Sequence, residues 1–334
     1  MDVKLYGIMP AITSPCDEND RFLEDTFTSL ANYLCEQGVH GLYVCGATGD
    51  SYRLRTEERK RILKIAMEVC GPFGAKVITH VGATSTREAV ELAEHASSVG
   101  AAAVSSMPPA NRSNRELVDY YRDVAKAAQL PVLIYHIPQL TNHNLPFSVF
   151  QELLDIPGVA GVKFSGSNVF LMRRLLLARS GVSIFNGDDE LLVPALLYGA
   201  CGGIGMTYNL FPKLFVAMYE AVLAGDIARA MHMQDCHVIF LHRAIEYGLC
   251  PVFDLLMRER GFGPFSYRKP RTVLDEACAK KFHQEVDPLI AAIDRAANDL
   301  RKIPEKKITS QPILVPHDPA TLLLRGKGLT HANQ

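Results

Sequence analysis

Lys163 is the one charged residue in the run "PGVAGVKF", whose other members are all apolar or glycine. A run of that kind, opened by proline and closed by "SGS", reads as a strand buried on both faces. Lysine is among the residues least often fully buried, so an amine at the end of a core strand asks for a chemical account. Burial disfavours the ammonium form, depresses the pKa and leaves free amine near neutrality. Such an amine attacks a ketone to form a Schiff base. The iminium withdraws electrons from the neighbouring carbons and stabilises the carbanion left by C–C cleavage. The plainer alternative is a lysine that snorkels to the surface or pairs with a carboxylate.

Two further features suit the same chemistry. Tyr135 ends the apolar run "PVLIY", and a phenol there relays the protons that carbinolamine formation and aldol cleavage both require. Taken alone, a core tyrosine with its hydroxyl at the rim is the plainer account of it. "GATGD", residues 46–50, sets two glycines around Thr48 between a strand and a helix. Free backbone N–H groups and a hydroxyl at a helix N-terminus suit a carboxylate, although a plain turn between strand and helix reads the same way.

These residues stand at strand ends in a regular alternation of short apolar runs and longer amphipathic ones. "LYGIMPAI" precedes a helical pattern over 25–37, and "VHGLYVCG" precedes "TEERKRILKIAMEVC". "AKVITHVG" and "AAAVSSMPP" precede helices that open with capping boxes, Ser85-x-x-Glu88 and Ser113-x-x-Glu116. "PVLIYHIP", "GVAGVKF", "VSIFNG" and "CGGIGM" complete the series, with helices expected over 146–154, 169–179, "DELLVPALLYG" and "FPKLFVAMYEAVLAG". Eight such units by residue 225 close a parallel (β/α)8 TIM barrel. An open doubly wound sheet would carry G-x-G-x-x-G after its first strand, and "AITSPCDEND" does not. In such a barrel the strand ends face the active-site mouth. They bring Thr13, Ser14, "GATGD", "YHIP", Lys163, Ser165, "NGDDE" and "GGIGMTYN" to one end.

After residue 225 strand signals stop. Residues 226–302 read as a C-terminal helical subdomain beside the 1–225 barrel. Residues 303–334, with four prolines and no sustained period, read as an extended or partly disordered tail.

The chain has 334 residues, 48% of them hydrophobic, with 35 basic residues against 36 acidic ones and a net charge of -1. That balance, without a basic block, excludes a nucleic-acid partner or an anionic membrane surface from the expectations. No secretory signal or membrane span is visible, and eight scattered cysteines without a C-x-x-C pair read as reduced core residues. The expected location is the cytoplasm. His232, Cys236 and His237 share a predicted helix, but no further ligand completes a metal site, so no metal is expected. Asp17, Glu18 and Asp20 read as a solvated acidic turn.

In this order and spacing, "GLYVCGATGD…TEER", "YHIPQLT", "GVKFSG", "NGDDE" and "GGIGMTYN" resemble the dihydrodipicolinate synthase / N-acetylneuraminate lyase family. The likeness runs over about residues 6–300. It implies a class I aldolase-type barrel, typically a homotetramer, acting on pyruvate or longer 2-oxo acids without metal or nucleotide cofactor. It assigns the Schiff-base lysine to Lys163, the proton-shuttling tyrosine to Tyr135 and carboxylate binding to the loop with Ala47 and Thr48. Ser165, Gly187 and Met206 join these as expected substrate-binding positions.

The synthase branch usually has an arginine five residues after the tyrosine, and here that position is Leu140, which makes no charge-assisted pair with a carboxylate. "YHIPxLT" is similar to the sialic acid lyase branch. There an Asp-Glu pair, matched by Asp189 and Glu190, binds substrate hydroxyls. Acidic residues at a helix N-terminus are the plainer alternative for that pair. Three positions depart from the branch: Ala47 replaces a serine, Met206 replaces a serine, and Ala110-Asn111 stands where many members carry a tyrosine pair after Pro-Pro. The expectation is an N-acetylneuraminate lyase-like enzyme whose ligand is pyruvate, a sialic acid or a deoxy sugar acid. The alternatives are a 2-oxo-3-deoxy sugar acid aldolase or dehydratase and, third, a non-catalytic 2-oxo-acid-binding homologue.

Overall fold

Each short apolar run becomes a strand: β1 (Gly7–Pro10), β2 (Gly41–Val44), β3 (Lys76–His80), β4 (Ala103–Ser106), β5 (Val132–His136), β6 (Val159–Phe164), β7 (Ser183–Asn186) and β8 (Gly202–Gly205). The computed structural model describes residues 5–298. All pairings are parallel, in the order β1-β8-β7-β6-β5-β4-β3-β2. The ring is completed between β1 and β2 by one parallel bridge, Ala11 to Tyr43, and by hydrogen bonds from Ile12 N to Tyr43 O and from His40 N to Ile8 O. This is the expected (β/α)8 barrel. Its strands are buried on both faces because side chains fill the interior while helices cover the outside. Met9, Tyr43, Ile78, Leu133, Phe185 and Ile204 form the inner core. A larger apolar layer lies between strands and helices.

The covering helices are α1 (Glu24–Glu36), α2 (Thr56–Cys70), α3 (Thr86–Ser98), α4 (Asn114–Ala128), the single turn α5 (Pro138–Thr141), α6 (Phe147–Leu154), α7 (Val169–Ala178), α8 (Leu192–Leu197) and α9 (Pro212–Ala224). The Ser113–Glu116 capping box forms in full. At α3 only half forms. Ser85 Oγ accepts from the Glu88 N–H at 3.2 Å, but the Glu88 carboxylate accepts from the Thr56 hydroxyl at 2.8 Å, tying α3 to α2 instead. The stretch expected as one helix from Asp189 is broken into a 3-10 turn, Asp189–Leu191, and α8.

Beyond the barrel come α10 (Ile227–Glu246), α11 (Leu249–Glu259) and α12 (Glu276–Asn298), with α10 packed on both α9 and α12. The connection from α11 to α12 docks on the loops that follow β1 and β2 and on the start of α2. Cys16 N donates to Ser266 O (3.0 Å), Arg268 pairs with Glu58 (2.7 Å), and the Lys269 N–H reaches Asp20 Oδ1 (3.2 Å). The acidic turn at 17–20 is therefore partly a docking point for this strap and not only a solvated loop. The expected tail, 303–334, lies outside the described residues, as do residues 299–302. No helix among the described residues is long and apolar enough to cross a membrane.

Strand β6 depends on a glycine. A Cβ on Gly161 would lie 1.9 Å from the Ser183 carbonyl oxygen of β7 and 3.1 Å from Leu133, and backbone cannot swing away as a side chain can. Gly161→Ala is expected to lower stability by about 1–3 kcal/mol, in the range for overpacking a well-filled core. A reduced urea midpoint at unchanged slope checks this; an unchanged midpoint contradicts it.

Candidate active site

The barrel register brings the two leading residues side by side: Tyr135 of β5 is paired with Lys163 of β6, and Phe185 of β7 is paired with Lys163 on its other side. Sequence separation hides this neighbourhood, and parallel pairing creates it. The Lys163 side chain is buried, 2% exposed. Its Nζ sits 4.0 Å from the centre of the Tyr135 ring and 4.1 Å from that of Tyr43. Burial lowers its pKa to about 7, and Asp189 and Asp188 raise it only in part through space. About half the amine is then neutral at pH 7, against roughly one part in 2,500 for an ordinary lysine. Ring faces favour the ammonium, but they do not replace the water it has lost, so desolvation dominates.

Tyr135 is 3% exposed, and burial pushes its phenol well above the ordinary range while the Ser165 hydroxyl acts the other way. Its ring meets the rings of Tyr43 and His80 edge-on, each at 6.0 Å between centres. His136, next along β5, points to the opposite side, caged by Phe150 and Phe164, so "YHIP" contributes only its tyrosine. Ser165 is buried at the end of β6. A Cβ on Gly187 would lie 1.9 Å from its Oγ, so the glycine keeps room for that hydroxyl.

The "GATGD" loop lies across the Tyr43 ring, and a Cβ on Gly46 would come within 2.4 Å of it. Cys45 and Asp50 bracket the loop with left-handed φ values of 55° and 62°. Ala47 and Thr48 are half-buried between them. A 3-10 turn, Ser51–Arg53, separates this loop from α2. The expected position at a helix N-terminus is thus not what the chain adopts, and any carboxylate held here would rely on the loop's own N–H groups. Asp50 is drawn away from the mouth, pairing with Arg53 and accepting from the Arg268 N–H.

The acidic pair is divided. Asp189 is 7% exposed, and its Oδ2 accepts from the Thr207 N–H (2.6 Å) and the Thr207 hydroxyl (2.5 Å). Thr207 Oγ1 is also 2.8 Å from His237 Nε2 on α10, and the Asp189 carbonyl accepts from the Gln234 amide of the same helix. Burial raises the Asp189 carboxyl to about 6. Glu190 faces outward and is exposed, and Met206 is half-buried beside the 3-10 turn Thr207–Asn209.

Sequence reading missed Asp188, which burial also raises to about 6 and whose charge Lys163 feels. It missed Tyr43 and His80 as well. Strand alternation in "GLYV" would have pointed Tyr43 inward, but nothing local marks the other two. His237 is not grouped with His232 and Cys236. Those two lie 4.0 Å apart at the surface, and among the described residues no three His, Cys, Asp or Glu side chains cluster as metal ligands would. Beside the Lys163 site a cavity of about 240 Å³ opens between loops, lined among others by Tyr52, His80, Met107, Ala110 and Leu140.

A match to the dihydrodipicolinate synthetase family runs over residues 4–289. Among solved structures, the chain is similar to a catalytic-lysine mutant of the Ruminococcus gnavus sialic acid aldolase. The two are 26% identical over 87% of this chain and 97% of that one, with a TM-score of 0.81. It is similar to the N-acetylneuraminate lyase of Fusobacterium nucleatum at 29% identity, over 84% and 98% of the two chains, with a TM-score of 0.78. The 4-hydroxy-tetrahydrodipicolinate synthase of Methylacidiphilum fumariolicum, 24% identical over 88% and 98% of the chains at a TM-score of 0.81, shares the fold.

The geometry makes Lys163 the amine that reacts earliest as pH rises. Arylation by an amine-selective reagent, followed by peptide mapping, is expected to show Lys163 labelling rise through pH 7 and level off above it. Exposed lysines should follow only near their ordinary value of about 10.4. Labelling of Lys163 that tracks the exposed lysines contradicts the desolvated amine.

Proposed function

The chain belongs to the dihydrodipicolinate synthetase family, whose members are class I aldolases or lyases, and we propose that it is a Schiff-base lyase that cleaves a sialic acid such as N-acetylneuraminate to pyruvate and an aldehyde. The observation that carries this reading is the buried amine of Lys163, near neutral at pH 7 and flanked by the Tyr135 and Tyr43 rings. The likeness to sialic acid aldolase and N-acetylneuraminate lyase structures supports the branch.

In this account the Lys163 lone pair adds to C2 of the 2-oxo acid, and the carbonyl π pair moves to oxygen, which takes a proton from Tyr135. The ammonium nitrogen passes one of its protons to that hydroxyl, and its loss as water leaves the iminium. Tyr135 then accepts the proton of the C4 hydroxyl, the C3–C4 bond breaks, and its electron pair flows into the iminium to give an enamine. The aldehyde departs, Tyr135 gives the proton it has just accepted to C3, and water frees pyruvate and the amine, the proton released in that step returning to Tyr135. Thr48 and the N–H groups of its loop hold the substrate carboxylate.

Leu140, where the synthase branch carries arginine, leaves no charge to bind a second carboxylate. Asp189 has one oxygen committed to Thr207, so its Oδ1 is the atom offered to a substrate hydroxyl, with Glu190 closing the outer end. The half-buried thioether of Met206 favours a second reading, a 2-oxo-3-deoxy sugar acid as substrate, because it offers no hydroxyl to a longer sugar chain.

Pyruvate release from a panel of sialic acids and 2-oxo-3-deoxy sugar acids tests the proposal. Release from sialic acids is expected to vanish in Lys163→Ala and to fall by about 10²- to 10⁴-fold in Tyr135→Phe, the usual size of general acid–base catalysis. Release from the deoxy sugar acids alone overturns the sialic acid assignment, and release that survives Lys163→Ala overturns the mechanism.

A further inference from the structure

His237 is fully buried on α10, outside the barrel. Phe215 and Phe240 pack on its ring, with centres 4.8 and 6.4 Å away, and burial keeps it neutral, its pKa lowered to about 3. Among the described residues Nδ1 has no partner, and the ring's one polar contact runs from Nε2 to Thr207 Oγ1 at 2.8 Å. A residue present only to fill this space would be apolar, because a buried nitrogen without a hydrogen bond costs stability. The contact with Thr207 is what a histidine adds here.

The hydrogen bonds around Thr207 run in one direction at neutral pH. Burial raises the Asp189 carboxyl to about 6, with Glu190 opposing its ionisation and Lys163 favouring it. At pH 7 it is mostly ionised and can only accept. Its Oδ2 lies 2.5 Å from Thr207 Oγ1 and accepts from that hydroxyl. Having donated, Thr207 Oγ1 accepts from His237, which must therefore carry its hydrogen on Nε2. The other tautomer would draw the threonine proton away from Asp189 and bury an Nδ1–H among phenylalanines. Asp189 is seated on its other sides as well. Gln234 of α10 donates to its carbonyl at 3.1 Å, and a Cβ on Gly205 would lie 1.9 Å from its Oδ1.

We propose that His237 is a positioning residue of the Schiff-base site: by donating from Nε2 it commits the Thr207 hydroxyl to Asp189 and so holds a charged carboxylate in place. The role rests on the Schiff-base reading given above and gives α10 a chemical part in it. No proton is transferred along the chain. A hydroxyl that accepts a hydrogen bond donates a stronger one, and a stronger donor favours the charged form of the carboxylate. The Asp189 charge in turn supports the ammonium form of Lys163. Without the His237 donor the Asp189 carboxyl rises further and less of it is charged at neutral pH. The Lys163 amine then gives up its proton at lower pH.

The test measures the pH at which Lys163 arylation reaches half its plateau, in the unaltered protein and in variants. His237→Leu is expected to lower that midpoint by about 0.5 pH unit, less than the full effect of a charge in direct contact. His237→Gln, whose side-chain amide donates from near the place of Nε2, should recover most of the difference. Thr207→Val keeps the shape, removes the hydroxyl and should lower the midpoint at least as far. In that background His237→Leu should add nothing, since both act through one hydroxyl. If the leucine variant does not fold, His237→Asn, too short to reach Thr207, takes its place. A midpoint unmoved by loss of the imidazole, equal shifts with leucine and glutamine, or additive shifts in the double variant each overturn the proposal. Borohydride trapping of pyruvate on the same samples separates the two readings. An adduct on Lys163 with an unmoved midpoint overturns the role of His237 alone. No adduct in the unaltered protein overturns the Schiff-base reading and the part given to His237 in it.

Discussion

The whole site depends on one amine kept out of water. Lys163 stands one residue before the end of β6, which is paired with a strand on both sides, and the rings of Tyr135 and Tyr43 close over its Nζ at about the contact distance of a cation on an aromatic face. Taking the ammonium out of water costs more than the ring faces and the remote carboxylates return, and so the pKa falls to about 7. The gain is chemical: a free-amine fraction about three orders of magnitude above that of a surface lysine at pH 7. The fold tolerates the cost because the barrel's inner core and outer apolar layer are large.

The same constraint explains why the mouth is tied to elements outside the barrel. Asp189 and Asp188 set part of the potential at Lys163. Asp189 is held by Thr207, which in turn contacts His237 of α10, and Gln234 of the same helix grips the Asp189 backbone. The α11–α12 connection likewise fixes the far side of the "GATGD" loop through Arg268, which contacts Asp50 and Glu58. The C-terminal helices thus position charges that act on the amine without lining its pocket. Two sides of the mouth are braced by one C-terminal unit.

Much of this was legible in the residues. Strands buried on both faces show as short apolar runs, helices as capped amphipathic ones, and a charged residue at a strand end stands out against that background. Lys163 and Tyr135 were therefore readable as candidates. Their juxtaposition was not, because it follows from register between β5 and β6 and not from any local pattern. Asp189 and Glu190 look equivalent in "NGDDE". Their division into one inward and one outward carboxylate is decided by Thr207, eighteen positions on, and by α10. The 3-10 turn after "GATGD" was hidden for a similar reason. Asp50 prefers the strap at Arg268, more than two hundred residues away, and the helix start moves on to Thr56.

Reduction with borohydride in the presence of pyruvate, read by intact mass and peptide mapping, tests the central claim most directly. The account predicts one pyruvyl group per chain, fixed at Lys163 and absent from Lys163→Ala. A chain that stays unmodified, or that carries the group on another lysine, contradicts it.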